Sequence, residues 1–148
     1  MNSGKLIERI TLIANVGVVI GLGILIYEVN LSTKLAVVGA HTGRLSQMEQ
    51  AHTEFATSDY LPRISVKLQS DGIDSLTPEE FERFRYWEGS VKLRMASQYF
   101  QYQQGLLDQQ SADNIVASAA ARYKLWQELD VISVPGDFES AVELAVKK

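Results

Sequence analysis

The stretch NVGVVIGLGILIYEVN, Asn15–Asn30, decides how the rest of the chain is read. It overlaps an uncharged run, Ile10–Tyr27, of eighteen residues. Extended to Leu6 and Val29, the run predicts a helix of about 24 residues, or roughly 36 Å at 1.5 Å per residue. A hydrocarbon core asks for about 20 such residues. Glu8 and Arg9 fall near one end and Glu28 near the other, where side chains reach headgroups. Tyr27 suits an interfacial anchor.

Two rival readings are weaker. A signal peptide has a shorter apolar region and a small-residue cleavage site. Here YEVNLSTKLAVVGA follows, and the chain keeps Met1, so the segment is expected to be retained. A buried soluble helix needs apolar layers around it. The roughly 115 residues that remain would make one modest core. The expected organisation is therefore a transmembrane anchor over residues 1–30 and a helical extramembrane domain over residues 31–148.

Glycines within an apolar helix invite close packing. Gly17 and Gly21 are four apart and share a face with Ala14, Ile24 and Glu28. Lipid gives no hydrophobic reward for helix pairing, so dispersion at close backbone approach must supply it. Ala14, Gly17, Gly21, Ile24 and Glu28 are the expected oligomer contact within the bilayer.

No proline appears before Pro62, and the helical pattern continues past the apolar run. Leu31, Leu35, Val38, Leu45, Met48 and Phe55 stay near one face. One long helix to about Thr57 is expected, with Gly39 and Gly43 as possible breaks at up to ~1 kcal/mol each. The stripe Leu31, Leu35, Val38, Leu45 and Met48 extends the expected oligomer surface, because an apolar stripe must be covered by something.

Downstream, Pro62 and Gly72 bracket a short helix from about Leu61 to Ser70, and IDSL reads as a loop. LTPEEFERFRYW carries the sharpest local signal: Thr77 as N-cap, Pro78 in the first turn and Glu80 closing a capping box. That helix is expected to reach about Gln104, ended by Gly105. Its stripe is Phe81, Phe84, Trp87, Val91, Met95, Tyr99 and Tyr102. Tyr86, Leu93, Phe100 and Leu107 recur every seven residues and suggest a second buried seam, which would make this helix central. Ser111 is the expected cap of a helix over Ala112–Leu129, with Ile115, Ala119, Trp126 and Leu129 on one side. Asp137 is the expected cap of a last helix to about Val146, where Lys147 and Lys148 suit the negative end of the dipole. VISV is too short for a strand. The fold class is all-α.

An apolar helix ending YEVNLSTKLAV, then LTPEEFERFRYW, then YFQYQQGLLD resembles a widespread group of uncharacterised bacterial single-pass membrane proteins with a C-terminal helical domain. The resemblance covers Ile7 to about Trp126 and implies membrane anchorage and a bacterial source. It implies no activity.

Chemistry is sparse. There is no cysteine, which removes disulfides and thiolate sites. The formal net charge is −4 with no basic run, so no nucleic-acid partner is expected. Glu49 and His52 make a single Glu-x-x-His step, whereas a di-iron bundle uses two such steps and further glutamates. No metal or other cofactor is expected. Glu79, Glu80 and Glu82 sit where a helix dipole favours acids. The aromatic and basic residues of RYWEGSVKLRMASQYFQYQQG fall on the core stripe. Gln98, Gln101, Gln103 and Gln104 suit a polar surface or a subunit contact. No phosphate loop or nucleophile motif is present, and no enzyme activity is expected.

Two function classes remain. One is an interaction or structural protein that self-associates or serves as an accessory subunit of a larger membrane complex. The other is a tethered sensor or regulator whose helical domain binds a ligand or partner. A polar pocket in the helical core would discriminate them, and few buried polar candidates are visible, so assembly is favoured. Lys5 and Arg9 against Lys34 and Arg44 nearly tie under the positive-inside rule. The expected location is the bacterial inner membrane, with the C-terminal domain in the cytoplasm.

Overall fold

A computed structural model describes the backbone of residues 3–147 and the side chains of Arg9 and of residues 11–147. The expected roles of Leu6, Glu8 and Lys148 fall outside the described residues. Five α-helices follow one another: α1 (Ser3–Thr57), α2 (Leu61–Asp71), α3 (Pro78–Gln103), α4 (Gln109–Glu128) and α5 (Asp137–Val146). A 3₁₀ turn (Ile73–Ser75) stands where a loop was expected. No strand occurs among the described residues. The chain divides into two units at Gly39/Ala40.

In the first unit α1 is the sole element. Its apolar side chains from Leu12 to Val29 are all exposed. The helix is long and apolar enough to cross a membrane, with a mean hydropathy of 2.1 over its most apolar window. A Cβ added at Gly17, Gly21 or Gly23 would meet no atom within 4 Å. Thr33 donates its hydroxyl to the Val29 carbonyl at 2.9 Å, which satisfies a hydroxyl without interrupting the helix. Helix α1 runs unbroken through Gly39 and Gly43, so neither glycine marks a break.

The second unit, from Ala40 onward, has two adjoining cores. One gathers Leu107, Ile115, Ala119, Trp126, Phe138 and Val142, with Ala40 of α1 packed on it. The other gathers Leu61, Ile64, Phe84 and Leu129, with Phe55 of α1 and Trp87 of α3 packed on it. The expected stripe on α4 is thus the one that is buried.

Local signals set the ends of these helices. Thr77 accepts the Glu80 backbone N–H at 3.2 Å, and Glu80 accepts the Thr77 N–H at 2.8 Å, a complete capping box. Gly105, at φ 72°, ends α3 in a left-handed turn in which the Leu106 N–H donates to the Gln101 carbonyl. At the end of α4 Asp130 takes the same role at φ 50°, with the Val131 N–H donating to the Trp126 carbonyl at 2.9 Å.

Three expectations need correction. Helix α5 is capped by Gly136, at φ 128°, and Asp137 is its first residue, not its cap. Helix α4 begins at Gln109, not Ala112, because Asp108 is its cap: the Asp108 carboxylate accepts the Ser111 N–H at 2.7 Å. That bond holds the Asp108 carboxyl below the usual carboxylate range. The seven-spaced seam on α3 is not a second buried face either. Tyr86, Leu93 and Phe100 are exposed, and of that set only Leu107, beyond the helix end, is buried. The face of α3 that is buried instead carries Phe84, Glu88, Lys92 and Gln98.

Candidate ligand cavity in the helical domain

Helix α3 puts charges where a core is expected. Glu88 follows Phe84 by four residues and Lys92 follows Glu88 by four, so all three share a face. Glu88 is 1% exposed. It accepts the Trp126 indole N–H at 2.9 Å and an Arg122 guanidinium N–H at 2.6 Å, both from α4. The buried Lys92 ammonium donates to Glu139 of α5 at 2.8 Å and lies 5.3 Å from the centre of the Trp126 ring. Each buried charge therefore has an opposite charge within bonding distance, as burial demands. Glu139 also accepts the Val134 N–H ahead of α5, tying the connection to the same cluster.

Beside this satisfied cluster lies a cavity of about 910 Å³, walled by α1, α2, α3 and α4 of the second unit. Binding pockets for drug-sized molecules occupy roughly 300–1,000 Å³ and are mostly apolar with a few placed polar groups. The lining here has that character. Phe55, Leu68, Ile73, Phe84, Trp87 and Leu125 supply apolar wall, and all six belong to or pack on a single core cluster. Arg44, Gln47, Arg94, Gln98, Asn114 and Arg122 supply polar wall.

Gln98, 7% exposed, is the buried amide of the lining. Two other polar groups are not fully satisfied by the protein. Gln47 Oε1 and Arg94 Nη2 are buried with no hydrogen-bond partner. The other terminal nitrogen of Arg94 meets Glu54 at 3.7 Å, and the guanidinium lies 5.2 Å from the centre of the Trp87 ring. Trp87 in turn stacks at a tilt on Phe55, ring centres 6.0 Å apart. Helices α1 and α3 thus orient the arginine, yet one of its nitrogens still lacks an acceptor. Buried polar groups are nearly always paired in folded proteins, and an orphan costs about 1–3 kcal/mol. Of the three such atoms among the described residues, Gln47 Oε1 and Arg94 Nη2 line this one cavity, and Gln101 Oε1 lies elsewhere.

The residues singled out from the sequence fall as follows. Ala14, Gly17, Gly21, Ile24, Glu28, Leu31, Leu35 and Val38 lie in the first unit and are exposed. Leu45 and Met48 belong to the second unit. Leu45 is exposed, and Met48 lines the cavity while remaining 44% exposed. His52 also lines the cavity. No three His, Asp or Glu side chains converge among the described residues.

The expectation of few buried polar residues is overturned, since Glu88, Lys92, Gln98 and Ser111 are all buried. The signal for the first three was their spacing from Phe84, in steps of four, four and six that stay near one helix face; their polar character had masked it. Gln98 belongs inside rather than on a polar surface. Gln47 and Arg94 gave no comparable signal, because their meeting depends on how α1 lies against α3 within this unit. Comparison with known protein families, with curated proteins and with solved structures finds no match.

Proposed function

We propose that this chain is a membrane-tethered sensor or regulator. In this reading α1 anchors it as a single pass in a bacterial inner membrane, and the cytoplasmic helical domain binds a small molecule. The observation that carries the reading is the pair of buried unpaired polar atoms, Gln47 Oε1 and Arg94 Nη2, that line the cavity from α1 and α3. A purely structural bundle gains nothing from them and loses stability to each. A binding domain needs them for orientation and specificity.

The test is a titration of the full chain in lipid nanodiscs with the fluorescent dye anilinonaphthalene sulfonate, subtracting protein-free nanodiscs. One saturable site per chain is expected, lost in Ala51→Phe, which puts a ring into the cavity lining. A signal equal to that of protein-free nanodiscs would overturn the reading.

Assembly stands beside it as a second reading, favoured by the exposure of Leu31, Leu35, Val38 and Leu45 in succession. A homo-oligomer or a place in a larger membrane complex would cover this stripe, with Ala14, Gly17, Gly21, Ile24 and Glu28 continuing the contact within lipid. Replacing Gly17 and Gly21 with isoleucine should reduce the oligomer seen by native mass spectrometry. A strict monomer for the natural sequence, with no co-purifying partner, would remove the assembly reading and leave the sensor.

A further inference from the structure

We propose that the outer face of α3 pairs with the same face of a second copy of this chain, side by side and in register. From Tyr86 onward the exposed residues of α3 are Tyr86, Ser90, Leu93, Ser97, Phe100 and Gln103. The first five follow one another in steps of four, three, four and three, the alternation of a heptad seam. Its large members, Tyr86, Leu93 and Phe100, stand seven apart, and each keeps more than half of its surface bare. Its small members are the two serines. A fourth apolar side chain joins the face. Ile132 Cγ2 lies 3.9 Å from where a Cβ would stand on Gly89. Gly89 is three residues after Tyr86 and four before Leu93, so Ile132, itself exposed, extends the patch between them. None of these residues lines the cavity. Exposed apolar residues scattered singly are ordinary, whereas a contiguous and periodic set marks an interaction surface.

Charge selects the occupant. Over this span α3 carries Glu88, Lys92 and Arg94, and all three turn away from the seam: Glu88 and Lys92 are buried, and Arg94 lines the cavity. The exposed face is left without a charge. At its start the Arg85 guanidinium lies 5.2 Å from the centre of the Tyr86 ring and meets Glu82 at 2.7 Å, so this rim is neutral too and the ring is held in place. The chain carries a net charge of −4, so two copies repel over much of their surface. The α3 face is where they meet without like charges opposed. A bilayer surface is a poorer match, because helices that lie on membranes flank their apolar side with Lys and Arg, and α3 exposes neither from Tyr86 to Gln103. A seam of period seven calls for a helix of the same period, and two-fold symmetry supplies one from a second copy. Pairing in register sets Tyr86 on Tyr86, Leu93 on Leu93, Phe100 on Phe100 and serine on serine. Reversing one helix would set large apolar side chains on serines. The Ser90 hydroxyl already donates to the Tyr86 carbonyl at 3.1 Å, so its proton needs no partner at the contact.

The chain has no cysteine, so one substitution gives one thiol per molecule. Ser90→Cys, Ser97→Cys and, as a control on an exposed position of α4, Lys124→Cys are made in the full chain. Each is oxidised with copper phenanthroline in the cells that express it, and the disulfide-linked dimer is read on a non-reducing gel. Both serine positions are expected to give the dimer, and Lys124→Cys to give little. With Ser97→Cys in place, Leu93→Glu or Leu93→Lys alone should lower the dimer by about tenfold or more, because like charges then face each other. Expressing the two together should restore it, since Glu then faces Lys. Leu93 is exposed, so neither change disturbs a packed core, and misfolded chains would not recover on mixing. No dimer from either serine position, or as much from Lys124→Cys, would overturn the pairing. Ser90→Cys that links only to a Phe100→Cys chain would overturn the in-register arrangement. A loss with Leu93→Glu that Leu93→Lys does not restore would overturn self-pairing and mean that this face meets lipid or another protein.

Discussion

Helix α1 before Gly39 and helix α3 invert the usual relation between polarity and burial. The first exposes nearly every leucine, isoleucine and valine it carries, while the second buries a glutamate, a lysine and a glutamine. What distinguishes them is partnership. Glu88 and Lys92 are inside because Arg122, Trp126 and Glu139 wait for them there. The aliphatic residues of α1 have no protein surface within their unit to meet, and a helix bare on all sides is tolerated only where the surroundings are themselves apolar. Hydropathy alone predicts neither case; the available partners do.

The sharpest break of this contrast is to charge α1. Val18→Asp together with Leu22→Asp should cost about 2.5–3.5 kcal/mol each in membrane insertion. The doubly substituted chain should appear in the soluble fraction after carbonate extraction, whereas the natural chain stays with the membrane. Complete retention of the variant would argue that lipid is not what surrounds this helix. The converse break is Glu88→Ala, which strands the Trp126 indole N–H and the Arg122 guanidinium. Removing one partner of a buried pair costs about 3–5 kcal/mol, and the partial exposure of Arg122 places this case near 3. Urea unfolding followed by tryptophan emission should show the lowered midpoint, and Glu88→Gln should recover part of it.

Smaller effects belong to the helix ends. Thr77→Ala should lower stability by about 1 kcal/mol through the lost cap. The same box is sensitive to acid. The Glu80 carboxyl is held down to about 2, chiefly by its bond from Lys67 and then by the Thr77 N–H, against an ordinary value of 4.5. A carboxyl depressed on folding favours the folded state above its unfolded value, and that support fades as pH falls from about 4.5 towards 2. Thermal melts across this window should therefore fall more steeply for the natural chain than for Glu80→Gln. Asp130→Gly should produce the smallest change, a gain of up to about 1 kcal/mol, since glycine takes the left-handed turn without the cost that aspartate bears. A loss there would show that the Asp130 charge contributes more than its backbone conformation costs.

Most of the fold was legible because its signals are local. The uncharged run, the capping box at Thr77, the glycine at the end of α3 and the α4 stripe through Ile115, Ala119, Trp126 and Leu129 each lie within a few turns of chain. The misreadings share another cause. Tyr86, Leu93 and Phe100 have the periodicity of a buried seam, but no neighbouring helix covers that side of α3. Ser111 was a reasonable cap until Asp108 proved able to reach its N–H from the preceding turn. The cavity is legible in no single segment: Gln47, Gln98 and Asn114 come from three helices, and only packing sets them around one space.

The polar cluster of α3 has a consequence for the timing of folding. The bonds of Glu88 to Arg122 and Trp126 span 34 and 38 residues, and that of Lys92 to Glu139 spans 47. Contacts so distant along the chain close only after the local helices have formed and docked, since loop closure must be met first. Interactions absent from the transition state act on escape from the native state, not on arrival. A chevron for Glu88→Ala should accordingly show an unfolding limb raised by most of the lost stability and a refolding limb nearly unmoved. The charges buried in α3 then set the lifetime of the folded domain, while its helices set the speed of its formation.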